Sequence, residues 1–368
     1  MSKKIRHVLG ISGGKDSAAL AIYLHQKYPH LDIEYYTCDT GKELQETYDL
    51  IIRLEGYLGK KITLLEAAKT PKQDPFDFLY QSFGGYLPSS NARWCTKYLK
   101  LQPFEQFVGN DLVISYVGIR GDEDREGYIS KKSNIQSIFP FRKNIWSEDV
   151  ISKVLKNENI AAIKEIYEFN YAGESIERII QTVQQPLSQR FSIQQKLNLL
   201  LDLGAKEFNQ VVFEFLKTTN YPLAHEAEFA LCDNEDILIR DDIFNLLRDS
   251  GVGIPAYYEK VGFEVDGKKG EYARSRSGCY FCFFQQKIEW VWLYEQHPEK
   301  FKQAMEYENE KEGFTWNHNE SLQQLIQPER VESIKTDFLN RNKTKAKSSF
   351  LIDVLDDTEM EGCAACFI

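Results

Sequence analysis

Three groups of residues in this chain have the types and spacing to do chemistry. The first is Ser12-Gly13-Gly14-Lys15-Asp16-Ser17. It follows the apolar run Val8-Leu9-Gly10-Ile11 and opens a helical pattern of Ala18, Ala19, Leu20, Tyr23 and Leu24 that stops before Pro29. A strand, a tight turn and a helix N-terminus bring backbone N–H groups and a helix dipole onto one anion. Gly13 and Gly14 allow close approach of phosphate oxygens, Ser12 and Ser17 offer hydroxyls, and Lys15 adds a point charge. The run is not a Walker A loop, because Leu9 stands at the first glycine position and Asp16 follows the lysine.

The second group consists of polar turns at the ends of apolar runs. They are Asp39-Thr40-Gly41 with Glu43, and Gly118-Ile119-Arg120-Gly121-Asp122-Glu123-Asp124-Arg125. Two arginines amid carboxylates on a glycine turn suit an anion or a metal-bound anion. The third group is sulfur. Arg274-Ser275-Arg276-Ser277-Gly278-Cys279-Tyr280-Phe281-Cys282 presents two thiols to one metal or cluster, with arginines near enough to stabilise thiolates. A second Cys-x-x-Cys, Cys363 and Cys366, lies close to Ile368. Such a pair either closes a four-cysteine zinc site with Cys279 and Cys282 or carries sulfur on a mobile thiolate. Cys38 and Cys232 read as packing residues.

The elements that must position these groups alternate. Ile33–Cys38, Lys61–Leu65 and Leu112–Val117 read as strands, and residues 42–58 and 97–107 as helices. That order predicts an α/β fold with a parallel sheet, whose loops 12–17, 39–43 and 118–125 gather at the carboxyl ends of the strands. Residues 155–240 read as a helical insertion, with helices over 176–183, 193–203, 208–216 and 224–232. The run Trp290–Tyr294 predicts a core helix stopped at His297-Pro298. Asn340–Lys347 has little to bury, which predicts a mobile tail. The expected organisation is a core over 1–154, the insertion over 155–240, completion of the core over 241–300 and an extension over 301–368.

The whole chain has 368 residues, enough for two structural units. A net charge of −10 argues against broad affinity for nucleic acid, which needs many cations on phosphates. No stretch is apolar enough to cross a bilayer, and Met1–Arg6 lacks the apolar core of a secretory signal, so a cytoplasmic protein is expected. Seven cysteines in such a chain indicate metal binding or catalysis before disulfides.

The Ser12–Ser17 loop resembles the pyrophosphate loop of the N-type ATP pyrophosphatases. Asp39-Thr40-Gly41-x-Glu43, Arg93-Trp94-Cys95-Thr96 and the 118–125 turn resemble, in order, the motifs of the phosphoadenosine-phosphosulfate reductase family. Ile138–Phe141, Trp146–Val150 and Gly253-Ile254-Pro255-Ala256-Tyr257-Tyr258 resemble it too. Arg125 departs, following Glu123 sooner than the family's spacing. The resemblance implies an adenine-nucleotide α-hydrolase-like fold interrupted by the helical insertion. It implies nucleotide binding by Ser12, Gly13, Gly14, Lys15, Asp16, Ser17, Asp39, Thr40, Gly41, Gly118 and Arg120, and substrate contacts from Glu43, Arg93, Glu123 and Arg125. It also implies a metal centre at Cys95, Cys279 and Cys282, an iron–sulfur cluster or alternatively zinc.

Chain length, insertion and cysteine set look most like the DndC-type and SspD-type proteins of DNA phosphorothioation. That likeness implies ATP with Mg2+, Lys15 and Asp16 at the reacting phosphate, and Cys363 or Cys366 in sulfur handling. A cysteine desulfurase or another sulfur donor would be a partner, and DNA would arrive through partner proteins, with no membrane involved. A sulfonucleotide reductase is the second reading. A non-catalytic nucleotide sensor in a multi-protein assembly is the third.

Overall fold

The structure is a computed structural model that describes residues 5–67, 74–123, 130 and 132–347. Its centre is a parallel sheet of β1 (Arg6–Gly10), β2 (Ile33–Cys38), β3 (Ile62–Leu65), β4 (Val113–Tyr116) and β5 (Ile135–Ile138), in the order β3-β2-β1-β4-β5. His7 stands in register with Ile33 on one side and Ile114 on the other. Val8 and Leu9 are buried on both faces, as a central parallel strand requires. The strand order reverses at β1 and β4, so a crevice opens beyond their carboxyl ends.

Helices α1 (Lys15–Lys27), α2 (Gln45–Leu58) and α3 (Pro75–Ser82) connect the first strands. A helical run over 94–108 follows, made of α4 (Trp94–Thr96), a π-wound turn at Lys97–Leu101 and α5 (Gln102–Val108). Every residue of α1 from Lys15 to Leu24 is buried, which its three alanines permit by letting the helix lie close to the sheet.

Beyond the sheet come α6 (Glu148–Val154), α7 (Ile160–Asn170), α8 (Glu174–Gln184), α9 (Ile193–Leu216) and α10 (Arg240–Asp249). They do not form a separate core. Leu20 and Leu24 of α1 pack in one cluster with Ile163, Leu200, Phe208 and Ile243. The helices expected at 193–203 and 208–216 are one element, α9, interrupted at Gly204 and started by a Ser192–Gln195 capping box. The helix expected over 224–232 is replaced by two short 3-10 turns, Pro222–His225 and Ala230–Asp233. Between them Phe229 packs against Trp146 and Phe213, at ring-centroid distances of 6.3 and 6.2 Å. Anchored there, the segment cannot wind into a continuous helix.

The last part of the chain forms a second core. The hairpin of β6 (Val261–Val265) and β7 (Lys268–Tyr272) turns at Asp266 and Gly267, both with positive φ. It packs with α11 (Lys287–Gln296), α12 (Pro298–Met305), α13 (Leu322–Leu325) and α14 (Pro328–Lys347). Phe281, Trp290, Trp316 and Leu325 meet Phe76, Trp94 and Leu99 in this cluster. Helix α11 ends at His297, where the sequence places the stop. Residues 340–347 correct the sequence expectation, for they continue α14, which Ile334 and Leu339 anchor in the second core. Among the described residues no helix is long and apolar enough to cross a membrane.

Candidate functional site

The 12–17 loop sits at the carboxyl end of β1 and is clamped from two sides. Gly13 has φ of 74°, and a Cβ there would lie 2.2 Å from Thr47 Cγ2 of α2. A Cβ on Gly14 would lie 2.5 Å from Ser277 Oγ. Close approach thus favours glycine at both positions, and at Gly13 the left-handed conformation does so as well. Gly14 occupies the N-cap of α1 and has no side chain to cap the first turn, whose dipole end favours an anion. Ser12 and Ser17 fix the turn, their hydroxyls 3.1 Å apart.

Lys15 is only 3% exposed. Its Nζ lies 3.4 Å from Asp16 Oδ2, donates to the Ser275 carbonyl at 3.3 Å and sits 5.1 Å from the centre of the Tyr258 ring. Tyr257 donates to the Gly13 carbonyl at 2.9 Å, and the Lys15 backbone N–H reaches Tyr258 Oη at 3.4 Å. The Gly-Ile-Pro-Ala-Tyr-Tyr element thus caps the loop from a great distance in sequence.

On the other side of the crevice Arg120 is buried and its Nη1 meets Asp16 Oδ1 at 3.0 Å. Its Nε pairs with Asp122 at 2.9 Å, and Glu123 takes its backbone N–H at 3.1 Å. A Cβ on Gly118 would lie 2.9 Å from the Asp16 carbonyl oxygen, so the loop after β4 packs directly on the start of α1. Glu123 is turned into its own loop, where its carbonyl accepts from Arg142. Arg125 lies outside the described residues, as do Cys363 and Cys366.

The 39–43 turn joins the loop to the sulfur chemistry. Asp39 Oδ1 accepts from the Gly41 N–H at 2.7 Å and from Tyr48 Oη at 2.9 Å. Thr40 donates to Glu43 Oε1 at 2.7 Å and stands 3.2 Å from Cys279 Sγ. Glu43 and Cys279 form an antiparallel bridge, extended by the Tyr280 N–H on the Lys42 carbonyl at 2.9 Å. Burial, then the charge of Asp39, raises the Glu43 carboxyl to about 7, against the Thr40 hydrogen bond and Lys100.

Two cavities open here. One, of about 220 Å³, is lined by Ser12, Asp39, Glu43 and Tyr48, with Ile51, Ile62 and Leu64 as apolar walls. Its polar mouth and apolar back suit a base and sugar held beside the loop. The other, of about 40 Å³, is lined by Cys95, Cys279 and Cys282 with Phe76, Phe281, Phe284 and Trp316. It is too small for a nucleotide and has room for a sulfur atom. Lys100 lines both cavities. Burial pushes the Cys279 thiol well up, with Glu43 adding to it and Lys100 opposing it.

Arg274, beside the Cys-x-x-Cys, acts otherwise than the sequence implied. Arg274 Nη2 donates to the Cys279 carbonyl at 3.1 Å, so it holds the loop rather than a thiolate. Arg93 is exposed and lies over the Phe284 ring at 5.0 Å. Cys38 lines the larger cavity, its thiol pushed up to about 12 by burial. The three cysteines share a cavity, yet among the described residues no group of three or more His, Cys, Asp or Glu is set to hold a metal ion. As described, Cys95, Cys279 and Cys282 share a cavity wall without being drawn together as a ligand set.

Sequence reasoning missed Lys100, Thr47 and Ser277. The signal for Lys100 was present, five residues after Cys95, and the π-wound turn that carries it is a feature frequent at functional sites.

A parallel sheet in the order β3-β2-β1-β4-β5 with a glycine loop at its switch point is an α/β fold of the pyrophosphate-loop, nucleotide α-hydrolase-like kind. More particularly, residues 6–172 match the family model of the phosphoadenosine phosphosulfate reductase domain. The chain is also similar to an uncharacterized protein of Methanocaldococcus jannaschii, 31% identical over 153 residues, which are 38% of this chain and 30% of the relative. The matched region thus spans less than a third of that relative's length. No solved structure matches the chain.

Proposed function

We propose that this protein is an ATP pyrophosphatase that works in sulfur transfer. One observation carries the reading: the 12–17 loop and the cysteine cavity are neighbours, joined through Thr40, Ser277 and Lys100. In this reading the base and sugar of ATP occupy the larger cavity, and its phosphates, with Mg2+ as part of the substrate, lie on the loop. The loop amides and Lys15 stabilise the charge that develops as pyrophosphate leaves, while Asp16 and Arg120 hold Lys15 and the start of α1 in place.

The acceptor is a phosphate oxygen, in the finest form of the reading that of a DNA backbone. Adenylation turns that oxygen into a leaving group. The terminal sulfur of a cysteine persulfide, loaded by a cysteine desulfurase or another donor, attacks phosphorus and displaces AMP. A second thiol then attacks the remaining S–S bond, freeing the thiophosphate and leaving a disulfide that an external thiol reduces. Cys279 and Cys282 supply that pair in the cavity, and Cys363 and Cys366 are the candidates for carrying sulfur in. The test is product analysis with ATP, in which AMP and pyrophosphate support the reading and ADP with phosphate overturns it.

The domain match over 6–172 favours one other reading, a sulfonucleotide reductase in which a thiol attacks the sulfur of the bound substrate. Sulfite released from a sulfonucleotide, with no pyrophosphate from ATP, would select it.

A further inference from the structure

The mouth of the cysteine cavity differs in charge from the rest of the chain. The net charge is −10, yet between Asp77 and Glu105 there is no acidic residue, and the cations are Arg93, Lys97 and Lys100. A second acid-free stretch, from Tyr272 to Ile288, packs against the first, with Arg93 over Phe284 at 5.0 Å. The two segments meet on one face, where Arg93 and Lys97 are exposed cations of the kind a polyanion takes, whereas in the second stretch Arg274 is buried and Lys287 is paired with Glu320.

That face also shows rings to solvent. Phe83 is 40% exposed, although one side of it packs on Trp94 and Tyr98 at centroid distances of 5.3 and 5.8 Å. Tyr86 is 39% exposed and held edge-on against Phe314 at 5.1 Å. Lys97 Nζ lies 4.9 Å from the Tyr98 ring centre. A phosphate-binding face has no use for rings, and an apolar protein partner has no use for an acid-free run of cations. Rings braced from behind and interleaved with cations are the arrangement that holds unstacked bases and their backbone together. A duplex keeps the faces of its bases stacked on each other and so offers none of them to the rings.

We propose that this face binds an unpaired DNA strand. Bases stack on Phe83 and Tyr86, and the backbone runs past Arg93 and Lys97 to the mouth of the cysteine cavity. The proposal rests on the reading above that the sulfur acceptor is a DNA backbone, and it narrows that acceptor to single-stranded DNA.

The test is fluorescence anisotropy of the full chain with a labelled oligothymidylate, its duplex with oligoadenylate, and an oligouridylate of equal length. The single DNA strand is expected to bind at least about ten-fold tighter than the duplex. Phe83→Ala with Tyr86→Ala should weaken it by roughly ten-fold or more, as loss of base-stacking rings does. Lys97→Gln should lower the slope of log affinity against log salt by about 0.7. Equal or tighter binding of duplex or oligouridylate overturns the proposal, as does wild-type affinity in the double ring variant. Thermal melting of each variant shows whether the fold is intact. Pyrophosphate release on the same samples separates the two ideas. Release without strand binding leaves the enzyme and removes this surface. Strand binding with the expected pattern, but ADP as product, leaves the surface and removes the enzyme.

Discussion

The two cavities that share Lys100 are built in opposite ways. The larger takes its walls from the loop after β1, from the end of β2, from β3 and from the start of α2, all within residues 12–64 apart from Lys100 itself. The smaller draws on Thr40, Phe76, Cys95, Cys279 and Trp316, which only the second core brings together. A parallel sheet yields the first kind of cleft wherever its strand order reverses. The second kind exists only because one remote segment has docked on another. The larger cavity is thus a property of the fold, and the thiol cavity a property of this particular chain.

Substitutions can break that contrast. The largest effect is expected from Cys279→Ser, which should abolish sulfur transfer to acceptor while pyrophosphate release changes by a few-fold at most. Equal loss of both would mean that the cavities act as one site. Lys15→Ala should cut pyrophosphate release by about 100-fold, the usual cost of removing one donor from a developing oxyanion. Alkylation of Cys279, followed by mass spectrometry, should proceed at its wild-type rate in the same variant. Lys100→Ala is the substitution that ought to touch both sides. Pyrophosphate release should fall by roughly ten-fold, and Cys279 alkylation at neutral pH should slow, because a nearby cation that favours its thiolate is gone. Unchanged alkylation would take Lys100 out of the thiol cavity.

The smallest effect concerns stability. Glu43 beside the nucleotide slot and Glu308 in the second core are both raised to about 7, in each case chiefly by burial. A carboxyl whose folded pKa lies above its unfolded value holds a proton that stabilises the folded state. That contribution is complete below about pH 4 and is lost as pH rises through 7. Glu43→Gln should therefore remove roughly 1–2 kcal/mol of the fall in stability between pH 5 and pH 8, leaving the share due to Glu308. Urea unfolding at the two pH values checks this, and a slope as steep as wild type would show that Glu43 is ionised throughout.

The parts that the sequence made legible are those written in neighbouring residues. The Ser12–Ser17 turn, the strands before β5, the stop at His297 and the meeting of the 12–17, 39–43 and 118–123 loops all follow from local pattern and from strand order. The bridge between Glu43 and Cys279 leaves no such trace, because pairing across so long a separation imposes no periodicity on either segment. The same holds for Ser277 against Gly14. The 224–232 segment misled because its apolar spacing suits a helix, while Phe229 is needed elsewhere. Arg274 misled in a different way. Its position beside the cysteines was readable, but whether its guanidinium faced sulfur or a carbonyl was not.

The clamp on the 12–17 loop has a consequence for how the protein comes into being. The loop leaves the ribosome well before Tyr257, Tyr258, Ser275 and Ser277, which close over it. Chains are synthesised from the N-terminus, and pairings remote in sequence form last. A nascent chain can thus build its sheet early and still present an open, half-made pocket. A polypeptide cut short before the second core would lack every residue that closes over the loop.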